Sequence, residues 1–230
     1  MKKLFWIISV MFLLQACTTV QSVYFERLQP ADVNFPAQIR SVGVVNNMPP
    51  VHQDYKDVDY TSASLEGDGD IAAENLAQEL AAVDYFDQVV LYDKRVRKSA
   101  YPLEQPIPKE TVDELIRLLD VDMLLSMERV NVVLKDSTMF IPELYTFVPA
   151  AEGVVTSVVR AYLKQQEKPL FSIQKTDTLC WEIVQDLTFG DIVKDFSEYA
   201  ASIPMQYLLP YWKEEERRYF DGGNVNMRDA

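Results

Sequence analysis

Residues 121–134, VDMLLSMERVNVVL, decide the fold that we expect for this chain. From Val121 to Met127, apolar side chains mostly alternate with polar ones, which is the period-two pattern of a β-strand. After Arg129 the phase changes, because a new apolar series begins at Val130. A phase change within one strand indicates a β-bulge or a sharp twist, and we expect it near Arg129.

Two shorter apolar segments before this strand, residues 39–45 and 88–92, are also typical of buried β-strands. A helix is expected to begin near Asp70, because Asp68 or Asp70 can accept hydrogen bonds from the free N–H groups of a first turn. Strands that alternate with helices favour parallel pairing. A second helix is predicted by apolar side chains at positions i, i+3, i+4 and i+7, namely Val112, Leu115, Ile116 and Leu119.

Two later segments are predicted to form an antiparallel hairpin. Residues 153–164 and 170–184 carry apolar side chains at alternate positions, and the polar sequence 165–169 between them suits a turn. A last helix is expected from Asp191, with a kink or a new start at Pro204. The predicted order is β-α-β-α-β-β-β-α, and the fold class is α/β (α+β), a single mixed sheet with helices packed on it.

Residues 1–16 have the form of a lipoprotein signal peptide. Lys2 and Lys3 form a short positive region, and residues 4–14 are an apolar run too short to cross about 30 Å of hydrocarbon as a permanent helix. The sequence LQAC, which ends at Cys17, looks like a lipobox, the signal for lipid transfer to the cysteine and for cleavage before it. We expect Cys17 to be acylated after export, and each buried methylene then contributes about 0.8 kcal/mol of membrane affinity. An ordinary signal peptide with an incidental cysteine is the alternative.

The mature chain is expected to have three parts. Residues 17–38 form a lipidated tether that contains Pro30 and Pro36, and residues 39–212 form a single α/β domain. Residues 213–230 are predicted to be a charged helical tail, which is either a polar end or the start of truncated helical repeats.

The charge of the chain argues against nucleic acid as a partner. Its formal net charge is −13, and removal of Lys2 and Lys3 with the leader leaves 20 basic and 35 acidic side chains, or −15. The electrostatic field of this negative charge repels phosphate backbones and anionic lipid headgroups. Contact with a bilayer should therefore come from the acylated Cys17. Because lipid occupies that sulfur, Cys180 has no partner for an intramolecular disulfide.

The loop 46–70 is the one candidate ligand site, through His52, Asp54, Asp57 and Asp59. Its acidic residues suggest calcium, which takes six to eight oxygen ligands, but the loop lacks the glycine and the final glutamate of an EF-hand. Helix capping and a solvated acidic surface are the simpler interpretation.

The residue types present do not form a catalytic constellation. His52 is the only histidine, no G-x-S-x-G motif occurs, and one histidine with one remaining cysteine cannot build a structural zinc site without carboxylate ligands. We therefore expect no catalytic residue, no bound metal and no cofactor, and the chain is predicted not to be an enzyme.

Two segments, together with the lipobox, resemble an uncharacterised lipoprotein family of Bacteroidota. They are LQPADVNFP at 28–36 with IRSVGVVNN at 39–47, and VDEL at 112–115 followed by DMLLSME at 122–128. Members of that family often carry tetratricopeptide-type repeats after this domain. The element order more distantly resembles domains of the curli-secretion lipoprotein, of the amino-terminal part of the Tol-Pal translocation protein B, and of the penicillin-binding-protein activator lipoproteins.

These resemblances imply a protein that binds other components of the cell envelope. We expect a non-enzymatic scaffold or interaction module, anchored at the outer membrane through Cys17 and facing the periplasm, with an envelope protein as its partner. The alternative is a lipoprotein that binds calcium or a small ligand through the acidic 46–70 loop.

Overall fold

The computed structural model describes residues 19–50, 62–99, 102, 104–183 and 187–221. Within these ranges the chain forms two compact units. One unit covers residues 31–209, and the other consists of the segments before residue 31 and after residue 209. The fold is a mixed α+β fold.

The larger unit contains a six-stranded mixed sheet in the order β4-β2-β5-β6-β7, with the short β3 paired to β5. β2 is parallel to both β4 and β5, whereas all other pairs are antiparallel. The strands are β2 Ser41–Asn46, β3 Ser64–Glu66, β4 Gln88–Leu91, β5 Met123–Ile141, β6 Thr146–Leu163 and β7 Phe171–Glu182. Two further strands, β1 (Thr19–Gln29) and β8 (Tyr211–Asp221), belong to the smaller unit.

Helices cover both faces of this sheet. Helices α1 (Gly69–Ala82) and α3 (Phe189–Leu208) pack on one face, where they bury one row of β5 side chains in the main core. Helix α2 (Lys109–Leu119) covers the other face, around Leu124 and Tyr162. Because helices cover both faces of the sheet, the side chains of β5 that point to either face are buried, including polar ones.

Several local predictions are confirmed. Asp68 caps α1, since its Oδ1 accepts hydrogen bonds from the backbone N–H of Asp70 at 2.8 Å and of Ile71 at 3.3 Å. The register of β5 against β6 shifts between Met127 and Arg129, which is the predicted bulge.

The prediction of a single sheet is wrong. A second, two-stranded sheet pairs β1 (Thr19–Gln29) with β8 (Tyr211–Asp221), antiparallel and without interruption from Thr19↔Asp221 to Gln29↔Tyr211. The strand order differs too, because the predicted order does not include β1, β3 or β8. We call this pair of strands the ribbon.

The ribbon also replaces two predicted features. The expected helical tail at 213–230 is a strand as far as residue 221, and much of the expected tether at 17–38 is β1. Side chains of β1 pair with the charged side chains of β8 and so stabilise this segment as a strand. Arg27 Nη2 lies 2.8 Å from Glu215 Oε1, and the Ser22 hydroxyl donates to Glu216 at 2.5 Å.

No helix among the described residues is long and apolar enough to cross a membrane.

Candidate functional site

The parallel strands β2 and β5 create a switch point in the sheet. From β2 the chain passes through α1 to β4 on one side, and from β4 it passes through α2 to β5 on the other side. Ligands in open α/β sheets bind at the carboxyl ends of strands at such points. Here Asn46 is the last residue of β2 and Asn47 follows it, and the backbone N–H of Asn47 donates to the carbonyl of Met127 at 2.9 Å.

A buried carboxylate, that of Glu128, lies beside this switch point. Glu128 is 1% exposed. Its Oε2 accepts hydrogen bonds from Asn47 Nδ2 at 2.7 Å and from Arg160 Nη1 at 3.3 Å, and its Oε1 accepts from the Tyr162 hydroxyl at 2.9 Å. Three donors therefore replace the water that the carboxylate loses on folding.

The same cluster fastens the segment 104–107 to the sheet. Asn47 Nδ2 also donates to the carbonyl of Gln105 at 2.8 Å, and the N–H of Ile107 donates to the Tyr162 hydroxyl at 3.2 Å. The carboxylate of Glu104 lies 3.1 Å from Arg160 Nη2. This arrangement joins one loop to Asn47 and to two positions of β6 through a connected polar network.

Burial changes the acidity of the two central groups. Desolvation raises the pKa of Glu128, and the hydrogen bonds from Asn47 and Tyr162 and the charge of Arg160 offset only part of that effect. Desolvation and the adjacent carboxylate raise the pKa of Tyr162 as well. A buried carboxyl with paired neighbours lacks the open position that a reacting substrate requires, so the geometry is that of a structural network.

A shallow cleft of about 180 Å³ opens on the other side of Asn46, between the start of α1 and the end of β4. Asp70 organises this cleft, because it accepts a hydrogen bond from Asn46 Nδ2 at 2.6 Å and lies 3.2 Å from Arg95 Nη2. Three carboxylates line its wall, those of Asp70, Glu74 and Asp93. The cleft therefore suits a small polar or cationic ligand better than an anion.

The residues predicted from the sequence as sites lie outside the described residues. These residues are Cys17, His52, Asp54, Asp57 and Asp59. The structure describes only the two ends of the 46–70 loop, and both ends border the acidic cleft. Within the described part of the chain, no three histidine, cysteine or acidic side chains are grouped closely enough to hold a metal ion.

Sequence reasoning missed Glu128, Arg160 and Tyr162. Glu128 was assigned to the polar series of its strand, and such a series is usually solvated. Its burial results from α2 and segment 104–107 above it. A signal is present in the consecutive polar pair Asn46-Asn47 at the end of a buried strand.

The ribbon presents a second candidate surface, for a macromolecule. Exposed apolar side chains occur along both strands, among them Tyr24 at 62% and Trp212 at 65% exposure. Leu28 lies directly opposite Trp212 in the register. In the described part of the chain no third strand pairs with either edge. Open strand edges offer unpaired N–H and C=O groups to another chain.

A model described as "Domain of unknown function (DUF8603)" matches residues 39–220. No curated protein matches the chain. Among solved structures, the PelC dodecamer from Paraburkholderia phytofirmans is 15% identical, with a TM-score of 0.33 and coverage of 80% of this chain and 98% of that one.

Two of the similar solved structures are lipoproteins. A minor lipoprotein from Acinetobacter baumannii is 7% identical, with a TM-score of 0.31 and coverage of 76% of this chain and 98% of the other. The rare lipoprotein B from Shewanella oneidensis is 12% identical, with a TM-score of 0.27 and coverage of 70% and 88%.

Proposed function

The chain belongs to the DUF8603 family, and from this premise we propose that it is a membrane-anchored envelope lipoprotein that acts as a non-enzymatic scaffold or protein-interaction module. The anchor is the acylated Cys17, and the site of action is the periplasmic face of the outer membrane. A Bacteroidota source and helical repeats beyond residue 230 stay predictions that rest on the sequence resemblance.

The observation that carries this proposal is the position of the ribbon in the chain. β1 begins at Thr19, only two residues after Cys17. Two extended residues span at most about 7 Å, so acyl chains on Cys17 hold the start of the ribbon at the bilayer surface. A lipid anchor joined to an ordered strand restricts where that strand can meet a partner.

The open edges of the ribbon supply the means of binding. A two-stranded sheet is marginally stable in water, and a third strand from a partner adds backbone hydrogen bonds to it. The exposed Tyr24 and Trp212 provide apolar anchors of the kind that dominate binding energy at interfaces. We therefore infer that an envelope protein adds a strand to the ribbon.

Photo-crosslinking from the ribbon tests the proposal. A photoreactive amino acid at Tyr24, in the full-length lipoprotein in intact cells, should give one specific product with an envelope protein. The matched control is Leu118, which is equally exposed at 65% but lies on α2. Equal products from both positions, or none from Tyr24 in membranes that contain the protein, would contradict the proposal.

The acidic cleft favours a second candidate function, the binding of calcium or a small cation. Both ends of the 46–70 loop border a wall that contains three carboxylates, and the sequence of the loop includes Asp54, Asp57 and Asp59. Calorimetric titration of the mature protein with Ca²⁺ tests it. A saturable heat that Asp70→Asn abolishes supports this function, and the absence of heat at millimolar Ca²⁺ rejects it.

A further inference from the structure

The strands β5 and β6 extend beyond the sheet as a two-stranded arm. β7 pairs with β6 only as far as Ala150, whereas β5 and β6 continue their pairing from Thr138↔Pro149 to Ile141↔Thr146. A short 3₁₀ turn, Pro142–Leu144, closes the arm. We call residues 138–149 the arm tip.

Large apolar side chains are exposed on the arm tip. Tyr145 is 90% exposed, Leu144 and Phe147 are each 67% exposed, and Phe140 is 43% exposed. The rings of Phe140 and Phe147 face each other across the two strands with centroids 5.1 Å apart, and the Tyr145 ring meets Phe140 edge-on at 6.1 Å. The aromatic side chains therefore form one continuous exposed cluster.

Both faces of the arm tip are apolar. The exposed Phe140 and Phe147 are paired and share one face, whereas the half-buried Met139, Ile141 and Val148 have the opposite phase. A hairpin that docks on a folded protein needs only one apolar face, because its other face remains in water. Apolar side chains on both faces suit an environment that surrounds the tip.

The charge distribution favours the same environment. Glu143 is the only charged residue between Asp136 and Glu152, and no basic residue occurs between Lys135 and Arg160. The mature chain as a whole carries 20 basic and 35 acidic side chains. A tip rich in aromatic side chains, with Glu143 as its one charged residue, matches the interfacial zone of a bilayer, where tyrosine and other amphipathic rings are enriched.

The turn holds its most exposed side chain in an unusual backbone conformation. Tyr145 has φ of 48°, in the left-handed region that bulky residues seldom adopt. Its N–H donates to the carbonyl of Pro142 at 3.3 Å, which closes the turn. A residue that combines a strained backbone conformation with a solvent-exposed side chain is typical of a functional position.

We propose that the arm tip inserts into the interfacial region of a lipid bilayer and forms a second membrane contact, in addition to the lipid on Cys17. This inference rests on the proposed function, because the acyl anchor brings the domain to the bilayer. The depth is limited to the interface: the outer edges of the two strands carry backbone groups that need water, and hydrocarbon would leave them unpaired.

A fluorescent probe at the tip tests the inference. The mature lipidated protein with Cys180→Ser receives Tyr145→Cys, labelled with nitrobenzoxadiazole, and is reconstituted into neutral phosphatidylcholine–phosphatidylethanolamine vesicles. We expect blue-shifted emission and strong quenching by lipids brominated near the headgroup. The matched control is Leu118→Cys, which is 65% exposed on α2 and should show neither effect.

A substitution that introduces a charge into the arm tip provides a second test. Phe147→Asp in the same labelled protein should abolish the blue shift, whereas Val133→Asp, on β5 before the tip and 51% exposed, should leave it unchanged. Equal emission and equal quenching at positions 145 and 118 would overturn the inference. Protection of position 145 in native membranes but not in pure lipid vesicles would overturn it as well, in favour of a protein partner.

Mass spectrometry of the same sample separates this inference from the proposed function. An acylated Cys17 together with an unquenched probe at position 145 refutes the membrane contact of the arm alone. An unmodified Cys17 refutes the proposed function, whatever the probe shows.

Discussion

At the residue scale, Glu128 shows how this fold holds a charge in its interior. An unpaired buried carboxylate is expensive, and the chain meets that cost with Asn47, which follows β2, and with Arg160 and Tyr162, which both lie on β6. Each donor also serves a second group in segment 104–107. The loss of one member therefore leaves several polar groups unpaired.

Removal of the carboxylate should be strongly destabilising. We expect Glu128→Ala to lower the free energy of unfolding by about 3 kcal/mol, because it leaves the Tyr162 hydroxyl without an acceptor and leaves Asn47 and Arg160 with one partner each in segment 104–107. Denaturant titration of the variant and of an exposed control, Glu143→Gln, gives the comparison. A loss equal to that of the control would show that the network is not formed.

The pH dependence of stability should report the raised pKa of Glu128. Its folded-state pKa lies above the ordinary value of 4.5, so the folded state holds the proton more tightly than the unfolded state does. The contribution of this group to stability is fully present below pH 4.5 and is lost as pH rises through the folded pKa. Glu128→Gln lacks that titration.

The measured quantity is the difference in unfolding free energy between wild type and Glu128→Gln, from acidic to neutral pH. We expect the advantage of the wild type to shrink as pH rises above 4.5. Other titrating groups cancel in this difference, because they are common to both proteins. An advantage that grows with pH would mean that Glu128 has a depressed pKa and that its ion pair with Arg160 outweighs burial.

At the element scale, the close approach of three strands depends on Gly153 in β6. A Cβ at this position would lie 2.5 Å from Val132 Cγ2 and 2.6 Å from Trp181 Cζ3, much nearer than van der Waals contact. The absence of a side chain at Gly153 therefore leaves room for the indole of Trp181. The indole Nε1 in turn donates to Asp195 on α3 at 3.2 Å, so that β7 and α3 are joined through this position.

Gly153→Ala should therefore destabilise the protein by about 1–3 kcal/mol through overpacking. The control is Gly190→Ala near the start of α3, where the nearest atom to a new Cβ is Thr188 Oγ1 at an ordinary 3.5 Å. Thermal unfolding should show a lower Tm only for the first variant. Equal Tm values for both would indicate that Trp181 can move without cost.

The elements that local patterns specify were predictable from the sequence. The cap at Asp68 and the bulge near Arg129 leave signatures within a few residues, and the structure confirms both. The ribbon was not predictable in this way, because its register joins Ser22 to Arg218, nearly 200 positions later. A charged run such as 213–218 suits an exposed helix or an exposed strand equally, and only β1 decides between them.

The candidate sites follow the same rule. The carboxylate of Glu128 is buried because α2 and segment 104–107 cover it, and period-two alternation along β5 carries no information about that cover. The two faces of the arm tip were likewise not recognised, since the predicted β6 began at 153 rather than at Thr146. Its aromatic residues became a cluster only once the register placed Phe140 opposite Phe147.

At the scale of the whole molecule, the two compact units should differ in local stability. The unit of residues 31–209 has a buried core on both faces of its sheet, whereas the ribbon is only two strands wide. Amide protection follows the free energy of local opening, which is small for elements with few buried contacts. A partner strand would raise the protection of the ribbon.

Hydrogen exchange measures this difference. In the purified protein we expect the amides of 19–29 and 211–221 to exchange far faster than those of the central pairs of β5 and β6. Exchange at the ribbon should slow in native membranes, where the proposed partner is present. Uniform slow exchange in the isolated protein would show that the ribbon needs no partner.

We propose above all that lipid on Cys17 fixes the ribbon, and with it the rest of the protein, to a membrane of the envelope. The most direct measurement is mass spectrometry of the amino-terminal tryptic peptide, residues 17–27, from protein purified out of the membrane fraction. We predict a peptide that begins at Cys17 and carries the mass of a thioether-linked diacylglycerol. A peptide with the leader still attached, or with a free thiol at Cys17, would contradict the account.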